Sequence, residues 1–334
     1  MKEVLEVSRE TMANFLHVSE EELCFCSSAS EANVIILSGV FFYFLSKAMP
    51  VHFIVSAIEH PSVLRQVSTL HALGLDVDIA PVNSSGIVDL EVLGRMIRPD
   101  TRLLSIMAAN HEVGSIQPLS EIARLCKKNE ILFHSDASQA LGKMPFSISG
   151  AGLDFASFSS QKAYSIRGAG LMFIRNKQAL FSLWQGGQEK GIRFGTENVL
   201  SISCFAQAIT FIQSMPLEIL SRLGGQLRSG LRQIPDTKIW GDIETSLPNT
   251  VSFCVRGISS EALLMRCDME GMSLSAGAAC ATGSIEPSHV LKAMGISDED
   301  SKSTIRISFG LLHTEEDINE FLERLSRLIH KMRH

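Results

Sequence analysis

Three sets of polar residues that could take part in catalysis or binding each follow an apolar run that is typical of a strand. Asp136 ends ILFHSD, Lys162 follows DFASFSSQ, and the serines of CSSAS precede a helix-like segment. A carboxylate at a buried strand end needs a cation or donor, a lysine amine can form a Schiff base, and a serine-rich helix start can bind an anion. Each feature also has a plain structural alternative: a helix cap for the serines and Asp136, and a solvated side chain for Lys162.

The combination fits one cofactor, pyridoxal phosphate. Lys162 would hold its aldehyde, Asp136 would keep its pyridine nitrogen protonated, and the serine-rich helix start would bind its phosphate. No strand is followed by G-x-G-x-x-G, and no P-loop is present, so nucleotide-driven chemistry lacks sequence support.

Cys280 differs from the other cysteines in its surroundings. It lies in SAGAACATGS, among small residues that suit a segment approached closely by another molecule. The other six lie in apolar strand or helix patterns, where buried, inert thiols are expected: Cys24, Cys26, Cys126, Cys204, Cys254 and Cys267. With no C-x-x-C pair, the seven cysteines predict neither a disulfide framework nor a metal site.

The elements that must position these residues alternate between strand and helix. Candidate strands are Glu22–Cys26, His52–Ala57, Asp76–Pro81, Arg102–Ala108, Ile131–Ser135, Asp154–Ser159 and Gly170–Ile174. Helices are expected at Glu31–Ser46, Pro61–Leu73, Leu90–Ile97 and Leu119–Lys128. This alternation predicts an α/β large domain, residues 1–215, with a mainly parallel seven-stranded sheet, and ligands bind such sheets beyond the carboxyl ends of the strands.

The pattern changes after Pro216. Helices are expected at Leu217–Leu231, Ser260–Cys267, Pro287–Met294 and Glu315–Met332, with strands at Lys238–Trp240, Thr250–Val255 and Thr304–Ser308. We therefore expect residues 216–334 to form a smaller α+β domain that carries Cys280.

Composition excludes several classes of function. The 334 residues carry a net charge of −6 with acidic and basic residues mixed, which offers no cationic stripe for nucleic acid. Mean hydropathy is +0.17, but the most apolar stretch, Val34 to Leu45, is short of the ~20 residues that span a bilayer. The first residues contain early glutamates and no secretory apolar region, so a cytoplasmic protein with no membrane partner is expected.

Several motifs, in order along nearly the whole chain, resemble the cysteine desulfurases of the class V aminotransferase group, which have the fold type I architecture. The matching segments are SIMAANHEVGSIQPL, HSDASQALGK, SFSSQK, RFGTENV and SAGAACATGSIEPSHVLKAMG. The segment around Cys280 is similar to the iron–sulfur and nitrogen-fixation branch.

The resemblance implies a role for each matching residue. Lys162 would hold the cofactor, Asp136 would pair with its ring nitrogen, Gln139 would contact the ring hydroxyl, and His60 would stack on the ring. The phosphate would be surrounded by Ala29, Ser30, Ser159 and Gln161, with Thr196 reaching the cofactor of the neighbouring subunit in a homodimer. Asn110 would lie near cofactor and substrate, and Arg306 would bind the substrate carboxylate.

The implied reaction converts L-cysteine to L-alanine. Lys162 would remove the α-proton as general base, and the Cys280 thiolate would take the substrate sulfur as a persulfide, with His60 a candidate to carry the thiol proton. The sulfur would pass to an acceptor or scaffold protein for iron–sulfur cluster or other cofactor assembly.

This chain departs from the family pattern at several positions. Gln161 replaces the histidine before the lysine, Ser28 replaces a glycine, and Ser30 replaces a threonine; the chain also starts inside the helix that follows the family's N-terminal arm. Two alternatives therefore stand beside an active desulfurase. One is a relative acting on selenocysteine or cysteine sulfinate, and the other is a weakly active or inactive dimeric partner protein.

Overall fold

A seven-stranded sheet organises the first part of the computed structural model, which describes residues 1–183, 186–276 and 288–333. Its strands are β1 (Leu23–Cys26), β2 (His52–Ser56), β3 (Asp76–Ala80), β4 (Thr101–Ser105), β5 (Leu132–Asp136), β6 (Phe155–Ser159) and β7 (Gly170–Ile174). Their order in space is β1-β7-β6-β5-β4-β2-β3. Every strand except β3 is buried along all or all but one of its residues, as expected for a sheet covered by helices.

Strand direction decides which loops meet. Strands β6, β5, β4, β2 and β3 are mutually parallel, whereas β7 runs antiparallel to both of its neighbours. Since β1 is antiparallel to β7, it runs in the same direction as the other five. The carboxyl ends of six strands, including β1, therefore lie at one edge of the sheet, where ligands of such folds bind.

Among the described residues, seven α-helices belong to the part of the chain that forms this sheet. They are α1 (Lys2–Leu16), α2 (Ala29–Ser46), α3 (Pro61–His71), α4 (Leu90–Met96), α5 (Leu119–Lys128), α6 (Ile148–Ala151) and α7 (Val199–Ser214). Helix α2 lies against β6 and β7, and buries Ile36, Val40 and Phe41 completely. It is also the one helix of the described chain that is long and apolar enough for a bilayer, and half of it is buried in this core.

A buried ion pair connects α1 to the edge strand β1. Arg9 donates from Nη2 to Glu189 Oε1 at 2.8 Å and from Nη1 to Glu189 Oε2 at 3.0 Å. Arg9 also donates to Leu23 O, and Glu189 accepts from the Phe25 amide at 2.6 Å. A buried charge pair is stable only when its geometry is good and its remaining donors and acceptors are hydrogen-bonded, as they are here. This network therefore links Arg9, residues 23–25 and Glu189.

A second, four-stranded antiparallel sheet is built from the later part of the chain. Its strands are β8 (Thr237–Trp240), β9 (Thr250–Val255), β10 (Ser275–Ala276) and β11 (Thr304–Ser308), in the order β10-β11-β9-β8. Its helices are α8 (Glu218–Arg232), α9 (Ser260–Met269), α10 (His289–Ala293), α11 (Asp298–Lys302) and α12 (Glu315–Arg333). Two short earlier segments, 82–87 and 110–116, group with this second unit, and the rest of residues 1–215 forms the first.

The predicted fold class is confirmed. All seven strands of the large sheet are present with ends within a few residues of those expected, and the second unit is α+β. Sheet direction is mixed only at β7. Helices α6, α7 and α11 and strand β10 were not predicted. Apolar residues of α7 also occur on its exposed face, as at Leu200, so its sequence lacks a clear amphipathic period. The other three elements have only four, five and two residues.

Candidate active site

The turn between β1 and α2 places the start of a long helix at the carboxyl edge of the large sheet. Ser28 caps α2, because its side chain accepts the Glu31 amide. Ala29 is buried and Ser30 is exposed in the first turn, which leaves the Ser30 hydroxyl accessible beside the helix dipole. The sequence placed an anion site here, and the helix of 18 residues fits one.

Close backbone packing shapes this turn. A Cβ added at Gly170, the first residue of β7, would lie 2.5 Å from the Ser28 carbonyl carbon. Only glycine permits this approach, so β7 supports the turn directly. Ser28 has φ −169°, an extended conformation open to any residue, and the serine that replaces the family's glycine is accommodated without a left-handed backbone.

Asp136 lies buried at the carboxyl end of β5. Its Oδ2 accepts from Asn33 Nδ2 of α2 at 2.8 Å, and its Oδ1 accepts from the Ser138 amide at 3.0 Å. These donors hold the carboxylate in one orientation and each oxygen keeps a further lone pair for a ligand donor. Asp136 caps the following turn and also binds Asn33, and its predicted pairing with a cofactor ring nitrogen stays a prediction.

A chain of hydrogen bonds joins Asp136 to His60. Asn33 Nδ2 also donates to Ser62 Oγ at 2.9 Å, and Ser62 Oγ lies 2.8 Å from His60 Nδ1. The Ser62 amide donates to His60 Nδ1 at 3.1 Å, so that nitrogen is an acceptor and the neutral ring carries its proton on Nε2. The structure therefore brings together the predicted ring-nitrogen partner and the predicted ring-stacking histidine.

Glu59, next to His60, is a second buried carboxyl at this edge. Burial raises its pKa well above the usual range, and the charge of Asp136 adds to the shift, although the Met107 amide donates to Glu59 Oε1 at 2.6 Å and opposes it. Two neighbouring buried carboxyls cannot both be charged cheaply. Burial therefore favours the protonated, neutral form of Glu59.

A row of polar side chains crosses the sheet beneath Asp136. His134 of β5 lies 2.8 Å from Ser105 Oγ through Nδ1 and 3.0 Å from Ser157 Oγ through Nε2. Its ring is fully buried, and desolvation lowers its pKa to about 4, although Asp136 acts in the opposite direction. The histidine is neutral at physiological pH.

This neutral histidine makes a testable contribution to stability below pH 6.5. The unfolded chain binds a proton near pH 6.5 while the folded chain does not until about pH 4, so folding is disfavoured as pH falls through that window. Between pH 7.5 and pH 5.0 we expect wild type to lose about 2 kcal/mol of unfolding free energy through His134. Urea unfolding at the two pH values should show a smaller loss for His134→Gln, and parallel losses for the two proteins would contradict this assignment.

Lys162 lies just beyond β6, the neighbour of β5. It ends the short 3-10 helix Ser160–Lys162, which is held by a bond from Ser160 Oγ to Ile166 O at 2.7 Å. Lys162 and Gln161 are exposed, whereas Ser159 at the strand end is buried. The register of β5 and β6 pairs Asp136 with Ser157, so strand ends that carry the carboxylate and the amine are adjacent.

Gln139 is held by a lysine that sequence reasoning missed. Lys143 Nζ donates to Gln139 Oε1, and both side chains are half-buried. An ammonium group can only donate, so the amide oxygen faces Lys143 and the amide NH₂ remains for another acceptor. That orientation suits a donor to the hydroxyl oxygen of a cofactor ring.

Thr196 lies exposed in the segment that follows Arg193. Arg193 Nε pairs with Glu31 Oε1 at 3.0 Å, while Glu31 Oε2 accepts from the amide and the hydroxyl of Ser27. Burial would raise the pKa of Glu31, but the hydrogen bonds from Ser27 and the guanidinium of Arg193 together lower it. The segment with Thr196 is therefore fastened to the helix start with Ser30.

The second unit carries the other two predicted residues. Asn110 is buried, and its Oδ1 accepts from the amides of Glu112 at 2.8 Å and Val113 at 3.0 Å, which closes a tight turn. Arg306 of β11 is partly exposed and donates from Nη1 to His111 O at 2.7 Å. Asn110 is thus a turn-forming residue in this structure, and its predicted contact with cofactor and substrate stays a prediction.

Cys280 lies outside the described residues. Of the other six cysteines, five are buried as expected and Cys204 is partly exposed. Burial raises the pKa of Cys126 to about 12 and of Cys267 to about 11, and raises those of Cys24, Cys26 and Cys254 as well. These five thiols are protonated at neutral pH and cannot serve as nucleophiles.

The residues of the first unit fit pyridoxal phosphate. The donor set offers an anion site at α2, a buried and oriented carboxylate at Asp136, an amide donor at Gln139 and an exposed amine at Lys162. Three contributors were missed from the sequence: Asn33, Glu59 and Lys143. A lone asparagine inside the apolar run of α2, a glutamate in the same EH pair as His60 and a lysine four residues after Gln139 were the signals that could have found them.

Comparisons with known proteins cover nearly the whole chain. The family model described as aminotransferase class-V matches residues 1–321. Cysteine desulfurase IscS of Dictyoglomus turgidum is 36% identical over 334 residues, 98% of this chain and 84% of that protein. A solved NifS-like protein has a TM-score of 0.91 at 36% identity, covering 98% of this chain and 88% of its own. A NifS-like protein from Rickettsia africae has a TM-score of 0.85 at 31% identity, with coverage of 98% and 88%.

Proposed function

Since the chain belongs to the class V aminotransferase family, and within it to the IscS/NifS-like cysteine desulfurases, we propose that it transfers the sulfur of L-cysteine to Cys280 with pyridoxal phosphate as cofactor. The product is L-alanine, and the persulfide sulfur is passed to an acceptor or scaffold protein for iron–sulfur cluster or related cofactor assembly. We place the protein in the cytoplasm as a homodimer, in which Thr196 of each subunit contacts the partner's cofactor phosphate.

One observation carries the proposal: the hydrogen-bonded chain from His60 through Ser62 and Asn33 to Asp136. It joins a flat aromatic ring to a buried carboxylate at the ligand edge of the sheet. A simple helix cap at Asp136 would need neither the histidine nor the asparagine. The cofactor, when bound there, supplies an electron-withdrawing ring that accepts charge from the substrate α-carbon.

Different residues of this chain would bind the cofactor and move the substrate proton. Lys162 holds the cofactor and then removes the α-proton of the substrate as general base. Asp136 keeps the ring nitrogen protonated, while the start of α2 with Ala29, Ser30, Ser159 and Gln161 binds the phosphate. Glutamine at 161 can donate a hydrogen bond but carries no charge, so phosphate affinity depends more on the helix start.

The sulfur step needs a thiolate and a held substrate. The Cβ–S bond of cysteine breaks, an S–S bond forms with Cys280 Sγ, and the thiol proton that Cys280 gives up is balanced by protonation of the product at Cβ. His60 is a candidate to carry a proton, because its ring is partly exposed and its Nε2 faces away from Ser62. Arg306 binds the substrate carboxylate.

The direct test is turnover by the purified protein supplied with pyridoxal phosphate. With L-cysteine and dithiothreitol, we expect sulfide and L-alanine in equal amounts and a visible absorbance band of lysine-bound cofactor. If kcat/KM were higher for selenocysteine or cysteine sulfinate than for L-cysteine, that compound would be the substrate. If the protein bound no cofactor but still bound a sulfur acceptor, it would be a non-catalytic partner protein.

Asp136→Asn should separate the cofactor role of this residue from its capping role. The change keeps the size of the side chain and removes its charge, so the ring nitrogen loses its ionic partner and kcat/KM for L-cysteine should fall by about 10²-fold. Asp89→Asn is the matched control, since Asp89 caps α4 with its side chain and lies exposed. Equal, small effects of the two variants on activity would show that Asp136 is only a cap.

A further inference from the structure

Glu112 is a buried acid that the proposed function leaves without a role. It lies in the tight turn 110–116, between His111 and Val113, and its side chain is 2% exposed. Burial raises its pKa, while the hydroxyl of Ser288 and the charges of His289 and Arg306 oppose that shift. Burying an acid costs free energy unless its oxygens are hydrogen-bonded, so the partners of Glu112 indicate what it does.

The strongest contact is with Ser288, which is itself almost completely buried. Ser288 Oγ donates to Glu112 Oε2 at 2.5 Å, the short distance typical of a hydroxyl on a carboxylate. The same Ser288 oxygen accepts from the amides of Val290 at 3.1 Å and Leu291 at 3.3 Å, and so caps α10. Glu112 therefore holds the turn 110–116 to the start of α10.

The same turn is held from the other side by Arg306. Arg306 Nη1 donates to the carbonyl of His111, the residue before Glu112, at 2.7 Å. The peptide group between His111 and Glu112 thus connects the Arg306 guanidinium to the Glu112–Ser288 pair. This bond to the His111 carbonyl fixes the direction of the planar guanidinium group.

From this geometry we propose that Glu112, anchored by Ser288, is a positioning residue for the carboxylate-binding site at Arg306. The inference rests on the proposed function, because it assigns Arg306 to the carboxylate of the amino-acid substrate. Without the Ser288–Glu112 bond, the turn shifts, the His111 carbonyl no longer orients Arg306, and carboxylate affinity falls while the reacting groups on the first unit are unchanged.

The test compares Glu112→Ala, Glu112→Gln and Ser288→Ala in the holoenzyme, with exposed Glu316→Gln of α12 as control. In Glu112→Ala and Ser288→Ala we expect KM for L-cysteine to rise about tenfold with kcat within about threefold of wild type. Glu112→Gln still accepts the Ser288 hydroxyl and should keep KM within about threefold of wild type.

Two competitors identify the group that is recognised. L-Alanine has the carboxylate and cysteamine lacks it, and their binding to the holoenzyme is followed through the cofactor absorbance, which needs no turnover. We expect Glu112→Ala and Ser288→Ala to weaken L-alanine about tenfold and to leave cysteamine unchanged. Equal weakening of both, or a fall in kcat with KM unchanged, would overturn the proposal.

The two proposals fail in different ways. If the wild type released no sulfide, the proposed function would be wrong, and the L-alanine and cysteamine titrations would still test the role of Glu112. If Glu112→Ala did not fold, thermal unfolding would show it, and Ser288→Ala with Glu112→Gln would decide the question.

Discussion

Replacing Lys162 with alanine is expected to reduce sulfide and alanine release from L-cysteine by at least about 10³-fold, because the change removes both the cofactor attachment and the general base. The side chain is exposed at the end of a short 3-10 helix, so its loss should leave the fold intact. Circular dichroism and thermal unfolding of the variant should match wild type. The visible band of lysine-bound cofactor should disappear.

Reduction with borohydride provides the decisive measurement. It should fix the cofactor to the wild-type chain at Lys162, as read from peptide masses, and leave the Lys162→Ala chain unlabelled. Lys128→Ala is the control, since Lys128 is an exposed lysine at the end of α5, and should be labelled at Lys162 like wild type. Label on a different lysine would require a new assignment of the cofactor site.

Cys280→Ala should lower sulfide and alanine release by at least about 10²-fold without loss of cofactor binding, because only the sulfur-accepting thiolate is removed. The proposed cofactor residues other than Asn110 lie in the first unit, and Cys280 belongs to a segment between β10 and α10, so the absorbance of bound cofactor should be unchanged. With ³⁵S-labelled cysteine and no reductant, wild type should carry label as a persulfide and the variant should not.

Cys204→Ala is the control for the thiol assignment. Cys204 is the one partly exposed cysteine of the described chain, and the five buried thiols are protonated because burial raises their pKa values. We expect Cys204→Ala to keep wild-type turnover and label. Loss of label in Cys204→Ala but not in Cys280→Ala would move the acceptor to Cys204.

The large sheet could be predicted from the sequence because its signals are local. Each buried strand is a short apolar run with a turn at its end, and β5 and β6 were placed within one residue of their observed ends. The reversal of β7 could not be predicted, because strand direction depends on pairing between distant residues. Helix α7 lacks the amphipathic period that identifies surface helices.

The candidate site divides in the same way. Asp136, Lys162 and the serines near Ser30 could be found because each ends a strand or begins a helix. Asn33 and Glu59 could not be assigned, since their partners are residues far away in the chain and the sequence alone does not show that they meet. The Glu112–Ser288 bond is the clearest case, because nothing in NHEVG or PSHVL marks the pair.

The pairing of β1 with β7 has a consequence for biosynthesis. Leu23 pairs with Phe173, Gly170 supports the turn at Ser28, and Arg9 forms its buried bidentate pair with Glu189. A ribosome must therefore deliver the chain beyond residue 189 before the turn between β1 and α2, the proposed phosphate site, can take its final shape. Loop closure over so long a stretch is entropically slow, so cofactor loading is expected to be one of the last events of folding and not one that guides its start.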